Sequence, residues 1–260
     1  MSRDDLKLGN LLRSLAFNVA YFGLTTALAA YGTVACRSGP RALALGKLWA
    51  RLSMATARRI AGIQLEVTGW EHLPQSGPAL IACQHQSAFD TMVWLALLPH
   101  AAYVMKWELA KIPLFGPLTV RAGMIPVNRE GGAATLRGLM RAAQRAAANG
   151  QQIVIFPEGT RTVPGVFVEL HDGIAAVAAS TRLPVCPALT DSGRVWGRRS
   201  FRKYPGVIHL DILPPLPAGL KRAELMDRLR ALLQPVENSV GSAATDLPRR
   251  DNPVSQFADI

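Results

Sequence analysis

At 260 residues the chain can bury one sizeable core with room for an appendage. It is 49% hydrophobic and only 18% charged, yet carries a formal net charge of +11, which suits an anionic membrane, a phosphorylated substrate or nucleic acid. No nucleic-acid module accompanies that charge, and the apolar composition favours lipid over nucleic acid. Three widely spaced cysteines, Cys36, Cys83 and Cys186, make neither a disulfide framework nor a metal cluster and fit a reducing cytosol.

The first element runs from Ser14 to Cys36, "SLAFNVAYFGLTTALAAYGTVAC", without a charged residue. That length can cross a bilayer as a helix. Its threonines and Asn18 also fit a helix that lies in the interface. Arg3, Lys7 and Arg13 precede it, and Arg37, Arg41, Lys47, Arg51, Arg58 and Arg59 follow. The larger excess on the second side places the body in the cytosol. Leu43 to Ile60 has helical spacing at Leu45, Leu48, Trp49, Leu52 and Ala55. Residues 1–61 are thus expected to form a membrane-associated helical hairpin.

The texture changes after Gly62. "IQLEVTG" alternates like a strand, and "PALIACQ", "AAYVMK", "GMIPVNR", "QQIVIFP", "PVCPALT" and "VIHLDILP" are short apolar runs. Helical segments separate them, most clearly Ala133 to Asn149, which Gly150 closes. The arginines at 137, 141 and 145 in it read as a solvated stripe. Strands alternating with helices predict an α/β domain over 62–235, with a mostly parallel sheet flanked by helices. A last helix spans Leu220 to Leu233, and residues 236–260 read as a disordered tail.

Ligands of such sheets sit beyond the carboxyl ends of the strands. Three polar groups recur there: His85 in "IACQHQSAFD", Arg129 in "GMIPVNRE" and the run Glu158-Gly159-Thr160-Arg161 in "IFPEGTR". On one helix His85 and Asp90 would point about 140° apart. They meet only if His85 lies in the loop and Asp90 on the helix after it. Ser87 reads as the N-cap and "SAFD" has the form of a capping box. Asp90 could then fix the imidazole tautomer and leave the other nitrogen as a general base. Alone, a structural role for this pair is the commoner reading. No G-x-S-x-G accompanies it, and Cys83 suits strand packing better than chemistry. A base without a nucleophile fits attack by the substrate's own hydroxyl. Arg161 suits bidentate phosphate binding, Gly159 a tight turn, and Glu158 could orient a hydroxyl or brace the arginine. Lys106 and Arg129 could complete a phosphate pocket; singly, each is more often a surface charge. Arg194, Arg198, Arg199, Arg202 and Lys203 form a basic cluster. It could meet CoA phosphates or an acidic carrier protein, or simply be a lipid-facing or solvated surface.

"HQSAFD", "GMIPVNR", "IFPEGTR" and "LPVCPAL" stand in the order and spacing of the four blocks of the glycerolipid acyltransferase family, which the chain resembles from about residue 80 to 190. It looks most like the bacterial 1-acylglycerol-3-phosphate acyltransferases. The resemblance implies transfer of a fatty acyl group from acyl-CoA or acyl-acyl carrier protein to the sn-2 hydroxyl of lysophosphatidic acid, at the cytosolic face of the inner membrane. It implies His85 as base, Asp90 as its orienter, and Arg129, Glu158, Gly159 and Arg161 as the acceptor-phosphate site, with Lys106 as helper. Pro187 would shape the acyl side. No metal or cofactor is required by this chemistry, no nucleic acid is an expected partner, and the oligomeric state is unspecified. The second block departs from the family at Pro126 and Asn128, and His171 and Asp172 stand where a basic residue is usual. These departures bear on headgroup preference. Another lysolipid acceptor, such as lyso-ornithine lipid, or a non-catalytic membrane-binding protein on the same scaffold, are the alternatives.

Overall fold

The computed structural model describes residues 3–73, 76–128 and 131–233, with side chains from residue 8. The expected tail and Arg129 lie outside the described residues. Seven strands form one sheet: β1 (Ile63–Thr68), β2 (Ala79–Cys83), β3 (Ala101–Lys106), β4 (Ile125–Val127), β5 (Gln152–Ile155), β6 (Val185–Thr190) and β7 (Gly206–Ile212). Each falls in a run read as a strand, except that β7 begins one residue earlier, at Gly206. Their order is β1-β7-β6-β2-β5-β3-β4. All pairings between neighbours are parallel except β6 with β7, so the sheet is mostly parallel, as expected.

The helices are α1 (Arg3–Ala35), α2 (Gly39–Thr56), α3 (Phe89–Leu97), α4 (Phe115–Arg121), α5 (Gly132–Ala148), α6 (Gly173–Thr181) and α7 (Arg222–Leu233). β2 and β5 are buried at every position, because helices cover both faces of the central sheet. Ile81, Cys83, Tyr103 and Val154 pack with α2 and α3 on one face. Leu80, Ala82, Ile153 and Ile155 pack with α5, α6 and α7 on the other. α3 is buried from Phe89 to Ala96 except at Thr91, which fits an element held between the sheet and α2. α5 buries Leu139, Ala143 and Ala146 and turns Arg137, Arg141 and Arg145 to solvent.

α1 does not stand away from the domain. Phe17 is fully buried and meets Trp196 edge-on at 5.1 Å; Tyr21 does the same at 5.6 Å. Trp49 Nε1 of α2 donates to Thr25 Oγ1 (2.9 Å). A Cβ on Gly32 would lie 2.5 Å from the Leu45 side chain and 2.7 Å from that of Leu118, so a glycine leaves room there for both leucines to pack on α1. The opposite face exposes Leu8, Leu12, Leu15, Val19, Phe22, Tyr31 and Val34. Leu8–Ala35 is long and apolar enough to cross a membrane. Its inner face is nevertheless committed to the domain from Arg13, whose Nε donates to Ile60 O, to Cys36, whose carbonyl accepts from Arg121.

Candidate active site

Because β2 lies beside β5, the loops carrying His85 and Glu158 leave the sheet together. Gln84 fixes the first loop: its Nε2 donates to Leu233 O (2.7 Å) and its Oε1 accepts from Thr190 N (3.0 Å). The main chain of His85 is then held at both poles. Its N–H donates to Glu158 Oε2 (2.7 Å), and its carbonyl accepts from Thr162 N (2.7 Å). The ring stacks on Phe156 with centroids 4.1 Å apart.

The chain turns back after His85 before α3 begins. His85 Nδ1 lies 3.0 Å from Asp90 Oδ2. The same oxygen accepts from Gln86 N (2.8 Å) and Ser87 N (2.9 Å). Asp90 is 3% exposed, so burial of its charge is compensated by three converging donors. The helix starts one residue later than an N-cap at Ser87 implies: Ala88 takes the cap position. The reciprocal bonds survive this shift, since Ser87 Oγ accepts from Phe89 N (3.1 Å) while Asp90 accepts from Ser87 N. With Nδ1 tied to Asp90, Nε2 is the nitrogen left to meet a proton.

Glu158 is 8% exposed. Burial pushes its carboxyl up to about 7, against the lowering effect of the His85 N–H and the Thr162 hydroxyl, and the Asp90 charge adds to the rise. Its carboxylate thus faces the His85 main chain. Gly159 adopts φ 69°, a left-handed turn that favours glycine, and its N–H returns to Phe156 O (3.0 Å). That turn brings Thr162 back to His85 and sets half-buried Arg161 beside it, within electrostatic reach of Tyr21 on α1.

The structure brings His85, Asp90, Glu158, Gly159 and Arg161 into one neighbourhood. Lys106 ends β3, separated from β2 by β5, and is exposed in an ion pair with Glu108 (3.1 Å). Arg129 follows β4 outside the described residues. Sequence reasoning missed Thr162, Phe156 and Gln84, which hold the histidine. Thr162 and Phe156 flank "PEGTR" directly, and that adjacency was the available signal. Cys83 is fully buried, its thiol held well above its ordinary value mainly by burial. Its Sγ–H donates to Gln84 O. Ser87 is buried and engaged at the helix start. Neither is an activated nucleophile.

A carboxylate-oriented imidazole at the carboxyl end of a mostly parallel α/β sheet, with no activated hydroxyl or thiol beside it among the described residues, defines a class of site in which the base serves a nucleophile carried by the substrate. Comparison with known proteins narrows the class. Residues 64–190 match the family model described as Acyltransferase. The chain is 32% identical over 170 residues to the 1-acyl-sn-glycerol-3-phosphate acyltransferase of Pseudomonas aeruginosa, covering 65% of this chain and 66% of that one. It is 28% identical over 186 residues to the 1-acyl-sn-glycerol-3-phosphate acyltransferase alpha of Ovis aries, covering 69% and 65%. The matched stretch spans about two thirds or less of these relatives' lengths. In fold the chain is similar to the 1-acyl-sn-glycerophosphate (LPA) acyltransferase PlsC from Thermotoga maritima, with a TM-score of 0.69 and 20% identity over 87% of this chain and 95% of that one. Residues 64–190 therefore carry a domain of the acyltransferase family.

Proposed function

We propose that the protein moves a fatty acyl group from acyl-CoA or acyl-acyl carrier protein to the sn-2 hydroxyl of 1-acylglycerol-3-phosphate, giving phosphatidic acid for phospholipid synthesis. The observation that carries this reading is the Asp90-oriented His85 with no activated protein nucleophile beside it among the described residues. The similarity to the 1-acyl-sn-glycerol-3-phosphate acyltransferases of Pseudomonas aeruginosa and Ovis aries supports it.

In this mechanism His85 Nε2 takes the proton of the lipid hydroxyl as its oxygen attacks the thioester carbonyl carbon. Asp90 stabilises the imidazolium through Nδ1. The tetrahedral oxyanion collapses, the carbon–sulfur bond breaks, and the imidazolium returns the proton to the leaving thiolate. Arg161, with Arg129 and Lys106, would receive the acceptor phosphate, on the turn that Gly159 permits. Glu158 would act through the His85 main chain. The exposed uncharged face of α1 would rest in the bilayer as an interfacial helix, at the inner membrane with the catalytic domain on the cytosolic side. Docking of the other face along the domain supports this over a free-standing span.

The test is an acceptor panel with purified protein and one acyl-CoA. Lysophosphatidic acid is expected to be the best acceptor and lyso-ornithine lipid a poor one. His85→Ala should abolish transfer with the fold intact. Near-normal turnover by that variant would refute the mechanism, and preference for a phosphate-free lysolipid would refute the acceptor.

A further inference from the structure

The loop between β6 and β7 carries a charge pattern that the proposed reaction does not use. From Ser192 to Leu210 there is no acidic residue. Arg194, Arg198, Arg199 and Arg202 are all exposed, and among the described residues none forms an ion pair. Phe201 and Tyr204, between and beside them, are about half exposed (51% and 48%).

The fifth cation of the loop faces inward. Lys203 is 3% exposed. Its Nζ donates to Ser200 O (2.7 Å) and Phe201 O (3.0 Å) and lies 4.9 Å over Trp196 and 5.9 Å over Phe17. α1 grips the same segment. Ser14 Oγ accepts from Lys203 N (2.9 Å) and Asn18 Nδ2 donates to Phe201 O (2.9 Å). One cation therefore fastens the loop to α1 while the arginines point outward. At that level α1 exposes Leu12, Leu15, Val19 and Phe22. At its start the loop reaches the site, where Gly193 N donates to Gln86 Oε1 (3.2 Å), one residue from His85.

We propose that the 192–204 loop is an anionic-lipid-binding edge: its exposed arginines hold bilayer phosphates while Phe201 and Tyr204 enter the headgroup layer beside the apolar face of α1. Arginine and aromatic side chains bordering an uncharged helix face are what an interface rewards. An acidic carrier protein would need the arginines alone, with no use for the adjoining apolar stripe. The proposal rests on the membrane placement above but not on the reaction. Its consequence is orientation, since a lipid-bound loop would turn the His85 end of the sheet toward the bilayer that holds the acceptor.

The experiment uses the full chain with vesicles of phosphatidylcholine alone or with added phosphatidylglycerol. It compares the native protein with a variant carrying Arg198→Gln, Arg199→Gln and Arg202→Gln, and with the triple lysine variant. Each cation near an anionic surface contributes about fivefold to binding. The glutamine variant should therefore lose on the order of 100-fold on anionic vesicles, and high salt should remove that advantage from the native protein. The lysine variant should keep most of it. Binding to neutral vesicles, and turnover of detergent-dispersed substrate, should not change. Equal binding of native and glutamine variants to anionic vesicles would overturn the proposal. So would a loss that appears only as a raised KM for the acyl donor in detergent, which would make the loop a donor site. Failure of the native protein to bind neutral vesicles would instead count against the membrane placement of α1, and is read separately.

Discussion

Asp90→Asn separates what the carboxylate's charge does from what its shape does. All three donors on Asp90, from His85 Nδ1, Gln86 N and Ser87 N, converge on Oδ2 at 2.8–3.0 Å. An asparagine with its carbonyl oxygen in that place keeps every bond and the imidazole tautomer, and loses only the negative charge. At 3.0 Å and an effective dielectric of about 20, attraction between carboxylate and imidazolium is on the order of 5 kcal/mol. That is a ceiling, because the amide dipole and residual solvent recover part of it. The expected loss in kcat is about 10²- to 10⁴-fold, with a melting temperature within about 2 °C of the native protein. Asp90→Ala gives the contrasting result. Two main-chain N–H groups lose their acceptor in a buried loop, at a cost of about 3 kcal/mol, or roughly 6–12 °C for a chain of this size. Steady-state acyl transfer and thermal unfolding on both variants test this. If Asp90→Asn keeps kcat within about tenfold of native, the charge of Asp90 does not serve the base. If it melts as early as the alanine variant, the convergent geometry is wrong.

Three further outcomes follow from particular contacts. Glu158 has a folded-state pKa of about 7, above its ordinary 4.5, so the native state binds that proton more tightly than the unfolded chain. The resulting stability is complete below about pH 4.5, fades as pH rises to about 7, and is flat beyond. Glu158→Gln carries no such loss. Its stability relative to native should climb by on the order of 3 kcal/mol across that window in urea titrations, and a pH-independent difference would refute the assignment. Arg161→Ala should raise KM for phosphorylated acceptors by roughly 10- to 100-fold and leave phosphate-free lysolipids little changed; an equal loss on both would refute a phosphate role. Gly69 has φ 68°, and a Cβ there would fall 1.8 Å from Ile212 O, whereas Gly77 has φ 80° in open space. Gly77→Ala should cost only about 1–2 kcal/mol for its left-handed backbone, and Gly69→Ala at least twice that in chemical denaturation; equal costs would show that the sheet edge yields at Gly69.

The strands were legible because a centrally buried parallel sheet writes itself as short apolar runs, such as "ALIAC" and "QIVI", between turn residues. α5 was legible from its arginine stripe and terminal glycine. The strand order was not. Nothing local in "IACQHQ" or "IVIFPEGT" states that β2 and β5 are neighbours, so the bonds from Glu158 and Thr162 to the His85 main chain could not be foreseen. The order of residue types also suggests a membrane hairpin at the N-terminus without revealing that one face of α1 is taken by Trp196, Phe201 and Lys203, nearly 200 positions later. Long-range packing of this kind has no periodic signature.

Convergence at His85 gives the site its physical logic. A base proposed to take a proton from a mobile lipid would itself have little freedom to lose during the reaction. Here Asp90 fixes the ring plane, Phe156 covers one ring face, and Glu158 and Thr162 hold the main chain on either side. The same Gly159 turn that returns Thr162 to His85 carries Arg161 as the residue immediately before it. Imidazole and guanidinium are therefore placed by one short piece of backbone. A disturbance at Gly159 should move both, degrading acceptor binding and proton transfer together. The left-handed φ of 69° is thus a geometric link between the residue proposed to hold the phosphate and the one proposed to take the proton.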